Sequence, residues 1–196
     1  MKLKKSRLNK IAFVLFLCLM NMSSVIMIAK AATPLKSYYW SESSLTCYVS
    51  STISTNYGSG TYNGILAGLK NWNSTDAPTI STTSTLTTAP ILLGMSDFGS
   101  TGWDGLSSVS ATNNKATSSL ISLNTNYLSS YTSTSDLWKA LATHEMGHTL
   151  GLGHNVTAVE TSIMKEYTVS YYNYSGTSPK YTAPRPVDTD AMNSKY

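Results

Sequence analysis

The three histidines of this chain, His144, His148 and His154, all lie in one segment, HEMGHTLGLGH. Residues four apart on an α-helix are separated by about 40° around the axis and by about 6 Å along it. His144 and His148 can therefore direct their imidazole nitrogens at one point, at the distance of about 2.0–2.1 Å that zinc requires. The spacing predicts a metal site, and the alternative is an unusual helix end without chemistry.

Two histidines leave a tetrahedral zinc site incomplete, and the same segment offers a third. Gly151 favours a sharp turn at the end of the helix, which would bring His154 back toward the metal. Three nitrogen ligands with an open fourth position are typical of a catalytic zinc. Glu145, on the flank of the same helix face, could take a proton from a zinc-bound water and pass it to a leaving amine. The pattern therefore predicts the hydrolysis of peptide bonds.

The helix that must position these residues is predicted from the segment DLWKALATHEMGHTL. Ser133 and Asp136 resemble a capping pair at its start, where a carboxylate also favours the positive end of the helix dipole. Gly151 stands just past the last periodic residue and is expected to end the helix. The side chains expected to face the core are Leu137, Ala140 and Leu141.

The remaining segments predict the elements that support this helix. An earlier amphipathic helix is indicated by one apolar face, which consists of Ile65, Leu66, Leu69 and Trp72. Strands are predicted within residues 37–55 and at 79–83, 91–94 and 119–124, a glycine-rich loop at 99–108, and a short helix beginning near Pro186. This order predicts an α+β fold: a mixed, twisted β-sheet with a backing helix, an active-site helix and a short C-terminal helix.

Residues 1–31 have the pattern of a cleaved signal peptide. A basic stretch, MKLKKSRLNK, precedes an apolar stretch, IAFVLFLCLM, and Ala29-Lys30-Ala31 fits a small-residue cleavage site. The alternative is a retained membrane anchor, but the strongly apolar run is well short of the ~20 residues that span a bilayer. Cleavage after Ala31 would leave residues 32–196 as a single catalytic domain.

Signal cleavage would also reverse the sign of the net charge. The full sequence has 14 basic and 10 acidic residues, and 6 of the basic residues lie within residues 1–31, so the mature chain would carry −2. No basic patch then remains to indicate nucleic-acid binding. Of the two cysteines, the mature chain would keep only Cys47, which excludes an intrachain disulfide. We expect a monomer without membrane association after cleavage, secreted to the extracellular space, and the composition favours a Gram-positive bacterial source.

The histidine segment resembles the signature of the metzincin clan of zinc endopeptidases, H-E-x-x-H-x-x-G-x-x-H followed by a Met-turn. The match comprises the histidine segment and Ser162-Ile163-Met164 further along the chain. The resemblance implies a zincin fold and one catalytic Zn²⁺ held by His144, His148 and His154, with Glu145 as general base. It also implies that Met164 forms a hydrophobic floor under the metal. The mature length is similar to that of a minimal, bacterial, matrixin-like catalytic domain.

The chain departs from the matrixin pattern in ways that leave alternatives open. No further histidine is present to bind a second, structural zinc. The loop from Asp97 to Gly105 resembles a region where matrixins bind structural Ca²⁺, and a solvated loop is the other interpretation. Cys47 is expected to be a buried structural residue rather than part of a latency switch.

Several tyrosines also have two interpretations. Tyr167 is a weak candidate for stabilising an oxyanion, and a packing role is the alternative that we favour. Three further tyrosines could line a substrate subsite or simply pack at the surface, namely Tyr171, Tyr172 and Tyr174.

Taken as a whole, the sequence predicts a secreted, zinc-dependent metalloendopeptidase that acts on protein or peptide substrates. Two alternatives remain: an extracellular binding module that keeps zinc for folding and has little catalysis, and a zinc hydrolase that acts on cell-wall peptides. An intact Glu145 favours the peptidase, because a purely structural zinc site has no use for a general base.

Overall fold

A computed structural model describes residues 32–86, 89–128, 134–157, 161–173, 175–176 and 178–196. The predicted signal peptide, residues 1–31, lies outside the described residues, as do Ser133 and Tyr174. Within the described part of the chain, no helix combines the length and apolar character needed to cross a membrane.

The centre of the fold is a mixed sheet of five strands in the order β2-β1-β3-β5-β4. The strands are β1 Ser44–Val49, β2 Thr79–Thr83, β3 Ile91–Ser96, β4 Gly105–Thr112 and β5 Lys115–Asn124. Strands β2, β1, β3 and β5 are parallel, and β4 pairs antiparallel with β5 at one edge of the sheet. The predicted strands at 79–83, 91–94 and 119–124 are thus confirmed, and β5 begins earlier than expected.

The helices supply the other half of the α+β fold that the sequence predicts. They are α1 Thr52–Tyr57, α2 Ser59–Leu69, α3 Ser135–Thr149, α4 Thr168–Tyr171 and α5 Pro186–Lys195, and a 3-10 turn at Lys70–Ser74 continues α2. The long helix α3 carries the first two histidines, and α2 is the predicted backing helix. The N-cap of α3 is Thr134, whose side chain makes no capping hydrogen bond.

The backing helix α2 packs unusually close to α3 through Gly64 and Gly68. A methyl group at Gly64 would lie 3.0 Å from the carbonyl carbon of Ser135, and one at Gly68 would lie 3.0 Å from Cβ of Ala142. These two glycines lower the helix propensity of α2. Their place in the helix is explained by the contact, because any side chain would force α2 and α3 apart.

The core fills the space between the sheet and the helices. Alternate residues of β1 point inward, which places Leu45, Cys47 and Val49 in the same buried cluster as Leu137 and Leu141 of α3. Burial also raises the pKa of the Cys47 thiol to about 12. Cys47 is therefore a buried core residue, as the sequence predicts.

The structure differs from the predicted glycine-rich loop, because the end of that segment belongs to a strand. The glycine-rich segment at 99–108 includes the first residues of β4, which forms a hairpin with β5. Asn113 and Asn114 connect the two strands with φ angles of 52° and 64°. Such a two-residue turn with positive φ angles matches the twist of a hairpin, so the Asn-Asn pair was the local signal for this strand.

Candidate metal centre

The side chains of His144, His148 and His154 converge on one point. One ring nitrogen from each lies within 4.8 Å of the other two. The Nε2 atoms of His148 and His154 are 3.0 Å apart, close to the ~3.3 Å between two nitrogen ligands of a tetrahedral zinc. The structure thus brings together the three histidines that the sequence predicts, and their donor set fits zinc.

Backbone carbonyls orient the two histidines of α3. Nδ1 of His144 lies 2.8 Å from the carbonyl oxygen of Ile163, and Nδ1 of His148 lies 2.9 Å from that of Leu152. A neutral ring that donates from Nδ1 leaves the Nε2 lone pair free for a metal. Burial lowers the pKa of His148 to about 4 and that of His144 well below its usual value. Both rings are therefore neutral at pH 7, the form in which imidazole binds zinc.

The turn after α3 brings the third histidine into place. Gly151 has a φ of 97°, in the left-handed region that glycine adopts at little cost. The amide of Leu152 donates to the carbonyl of Gly147 at 2.9 Å, which closes the end of the helix. A side chain at Gly151 would also lie 2.9 Å from the carbonyl oxygen of Tyr38. The predicted helix stop is confirmed.

The predicted Met-turn packs against the C-terminal part of α3. Met164 is fully buried, and a methyl group at Gly147 would lie 2.5 Å from its sulfur and 2.9 Å from Trp72. The turn is anchored by Asp188 of α5, whose carboxylate accepts hydrogen bonds from the Ser162 hydroxyl at 2.5 Å and the amide of Ile163 at 2.9 Å. Sequence reasoning missed this role of Asp188, because the partners of its carboxylate lie 25 and 26 residues away.

Glu145 is buried without a full set of partners. Its side chain is 3% exposed, and Oε2 has no hydrogen-bond partner among the described residues. Burial, and secondly the neighbouring Asp104, raise the pKa of Glu145 to about 8. Gly105 of β4 leaves room for this side chain, since a methyl group there would lie 2.9 Å from Cδ of Glu145. A buried carboxyl group with an unused oxygen and a pKa near the working pH is well suited to exchange a proton with a bound water.

A cavity of about 830 Å³ contains the three histidines and Glu145. Its lining includes β4 from Gly105 to Val109, and also Tyr167 and Tyr171. The cavity is therefore bounded on one side by the outermost strand of the sheet.

The tyrosines near the site have different roles. Tyr171 is buried and stacks on His144, with ring centroids 4.9 Å apart and an angle of 11° between the planes. Tyr172 is buried as well. Tyr167, by contrast, is 66% exposed and lines the cavity, so it is not packed in the core, and its role in the reaction stays a prediction.

The loop from Asp97 to Gly105 is held in place by hydrogen bonds from the side chain of Asn124, and not by a cluster of carboxylates around a cation. The amide nitrogen of Asn124 donates to the carbonyl oxygens of Gly99 at 3.0 Å and Trp103 at 3.2 Å. Among the described residues, the histidines form the only group of three or more His, Cys, Asp or Glu side chains placed to hold a metal. The structure gives no support to the expectation of a Ca²⁺ site.

Known proteins resemble this chain in sequence and in fold. A family model described as metallo-peptidase family M12 (Reprolysin_5) matches residues 18–192. No curated protein matches the sequence. Of 63 matching chains of solved structures, one is described as the structure of myroilysin; the TM-score is 0.53, with 84% of this chain and 98% of that chain covered. The sequence identity of 11% makes this a likeness of fold, and the metzincin-like α+β fold is confirmed.

Proposed function

Because the chain belongs to metallopeptidase family M12, we propose that it is a zinc-dependent endopeptidase in which Glu145 is the general base. The observation that carries the proposal is the convergence of three histidine nitrogens next to a buried carboxylate with an unpartnered oxygen. A site that kept zinc only for folding would bury this carboxylate at a cost in free energy and gain nothing from it.

Each residue of the site has a distinct part in this proposal. His144, His148 and His154 would hold the metal through nitrogen atoms. A zinc ion bound there would polarise the carbonyl of a peptide and make a water ligand more acidic. Glu145 would accept the proton at its free carboxylate oxygen and donate it to the nitrogen of the departing amine. Tyr171, stacked on His144, would hold that ring in its orientation.

The outer edge of β4 supplies a place for the substrate. Within the described part of the chain, β4 pairs with no strand other than β5, so its outer edge can accept a further strand. An extended peptide that added to this edge would lie along the cavity wall formed by Gly105 to Val109. Hydrogen bonds to the strand would then present the scissile bond to Glu145.

The test is to measure zinc content and casein cleavage for the wild type and for Glu145→Ala. The wild type should contain about one zinc and cleave casein. The variant should keep its zinc, because Glu145 is not among the ligands, and lose cleavage by a factor of about 10² or more. A wild type that binds zinc but cleaves no faster than the variant would contradict the peptidase assignment.

We also propose that the enzyme is exported and that its N-terminus is produced by cleavage after Ala31. Support comes from the order of basic, apolar and small residues in the first 31 positions. Expression of the full chain in a secreting bacterial host, followed by N-terminal sequencing of the protein in the medium, tests this. The expected first residue is Ala32, and a protein retained at the membrane with an intact N-terminus would argue for an anchor.

A further inference from the structure

Asp104 is an acidic residue in the wall of the cavity, directly before β4. It lies next to Gly105, the residue whose backbone is in close contact with Glu145. Its carbonyl oxygen accepts a hydrogen bond from the amide of Asn124 at 2.7 Å, which fixes the backbone at this point. Its side chain is half-buried, and no recorded hydrogen bond or ion pair from a described residue ends on its carboxylate. The carboxylate is therefore available to a ligand in the cavity.

Aromatic side chains also line the cavity, and two of them, Trp103 and Tyr127, belong to or contact the loop that carries Asp104. Trp103, Tyr127 and Tyr167 all contribute to the lining. Trp103 packs on Phe98 with ring centroids 5.3 Å apart, and the Tyr127 hydroxyl accepts a hydrogen bond from the amide of Gly102 at 2.8 Å. Aromatic faces attract cations and also pack against the aliphatic part of lysine and arginine side chains. The lining thus offers both a charge and a surface that suit a long cationic side chain.

The two sides of the metal centre differ in charge. On the His154 side, Lys36 and Glu166 both line the cavity and offset each other. The amide of Lys36 is held near the end of α3 by a hydrogen bond of 2.8 Å to the carbonyl of Gly151. On the Glu145 side, the described lining contains Asp104 but no cation to balance it. The causes of the pKa shifts agree with these positions: burial and then Asp104 raise the pKa of Glu145, whereas burial lowers the pKa of His154, which Glu166 raises and Lys36 lowers.

We propose that Asp104 is a specificity-determining residue, which selects peptide substrates with a lysine or arginine on one side of the scissile bond. This inference rests on the proposed peptidase function and adds the class of substrate. The cationic group would pair with the Asp104 carboxylate while its aliphatic part packs against Trp103. A glutamate in the same place would be repelled by Asp104.

The test uses fluorogenic peptides that differ only in the residue immediately before or immediately after the cleaved bond, which is arginine, glutamine or glutamate. We expect the wild type to prefer arginine over glutamine by about tenfold in kcat/KM at one of these positions only. Asp104→Asn should abolish this preference while keeping its zinc content and Tm. Asp97→Asn is the matched control, because Asp97 belongs to the same loop but its carboxylate accepts a hydrogen bond from Gly99 at 2.8 Å and does not line the cavity.

A second measurement separates failure of this inference from failure of the peptidase assignment. The same peptides are titrated into zinc-loaded Glu145→Ala, with and without the additional Asp104→Asn substitution, and their affinities are compared. Tighter binding of the arginine peptide that depends on Asp104 would support the inference even if no peptide were cleaved. The inference would be overturned if the peptides were cleaved or bound without a preference for arginine. It would also be overturned if Asp104→Asn kept that preference.

Discussion

At the scale of single residues, Gly105 decides whether Glu145 can occupy the cavity. A methyl group at this position would lie 2.9 Å from both Cγ and Cδ of the glutamate. We expect Gly105→Ala to displace the carboxylate and lower kcat/KM by about 10²-fold, the loss that a misplacement of about 1 Å can cause. Zinc content should not change, because the substitution does not touch the histidines. Steady-state kinetics and metal analysis check both parts.

Gly94 in β3 is the matched control for that substitution. It is also a strand glycine, but a methyl group added there would meet no atom within 4 Å. Gly94→Ala should therefore keep wild-type kinetics. Equal activity of the two alanine variants would show that Glu145 does not need the space beside Gly105.

Some residues of the metal site could be identified from the sequence, and others could not. His144, His148 and His154 are fixed relative to one another by a helical repeat and one turn, which are local properties of the chain. Glu145 follows from its place beside the first histidine. Gly105 could not be predicted, because its contact with Glu145 crosses 40 residues of chain and depends on how the sheet packs on α3.

Asp188 is a second residue whose main role depends on tertiary contacts. Its buried carboxylate accepts hydrogen bonds from the Thr33 hydroxyl at 2.7 Å and the Arg185 amide at 2.9 Å, in addition to those from Ser162 and Ile163. In Asp188→Asn, one carboxylate oxygen, which accepts hydrogen bonds, becomes an NH2 group, which can only donate. The hydrogen-bond donors that face this group would then lose their acceptor. We expect the free energy of unfolding, measured in denaturant, to fall by about 2–3 kcal/mol.

The same variant tests the link between this carboxylate and the metal. Because the carbonyl of Ile163 orients His144, loosening the Met-turn should also weaken zinc binding. The zinc affinity of Asp188→Asn should therefore be lower than that of the wild type in a competition with a chelator. Unchanged affinity would limit Asp188 to a purely structural role.

At the scale of elements, the spacing between α2 and α3 depends on glycine. A side chain at Gly68 would lie 3.1 Å from the carbonyl carbon of Lys139. Gly68→Ala should therefore destabilise the protein by about 1–3 kcal/mol, as is typical of overpacked cores. In the same helix a methyl group at Gly60 meets nothing within 4 Å, so Gly60→Ala should stabilise by about 0.5–1 kcal/mol. Denaturant unfolding of both variants measures the two changes in the free energy of unfolding. An equal increase in both variants would contradict the close contact between Gly68 and α3.

The burial of side chains also explains why α2 could be predicted from the sequence and β4 could not. The apolar face with Ile65, Leu69 and Trp72 was enough to predict α2, because all three side chains are in the core. For β4 the pattern was weaker, since this edge strand has no fully buried residue. Its only clear local signal was the Asn-Asn turn that follows it.

At the scale of the whole molecule, distant parts of the chain meet at the C-terminal end of α3. The Tyr38 hydroxyl donates to the carbonyl of His148 at 2.5 Å, the Trp40 indole to that of Thr149 at 2.8 Å, and the Tyr196 hydroxyl to that of Leu150 at 3.0 Å. The last carbonyls of a helix lack partners within the helix. Side chains from both ends of the described chain supply them here, next to the metal ligand His148.

Zinc should therefore stabilise the entire domain. Its ligands come from α3 and from the turn beyond it, and they converge only when these parts are folded together. At a free zinc concentration 100 times Kd, zinc that binds only to the native state adds about 2.7 kcal/mol to the free energy of unfolding. In a domain of this size, that gain raises the Tm by roughly 5–10 °C. His154→Ala removes one ligand, so most of this zinc-dependent rise in Tm should be lost in the variant. Thermal unfolding with zinc and with a chelator measures it, and a shift of equal size in the variant would exclude His154 as a ligand.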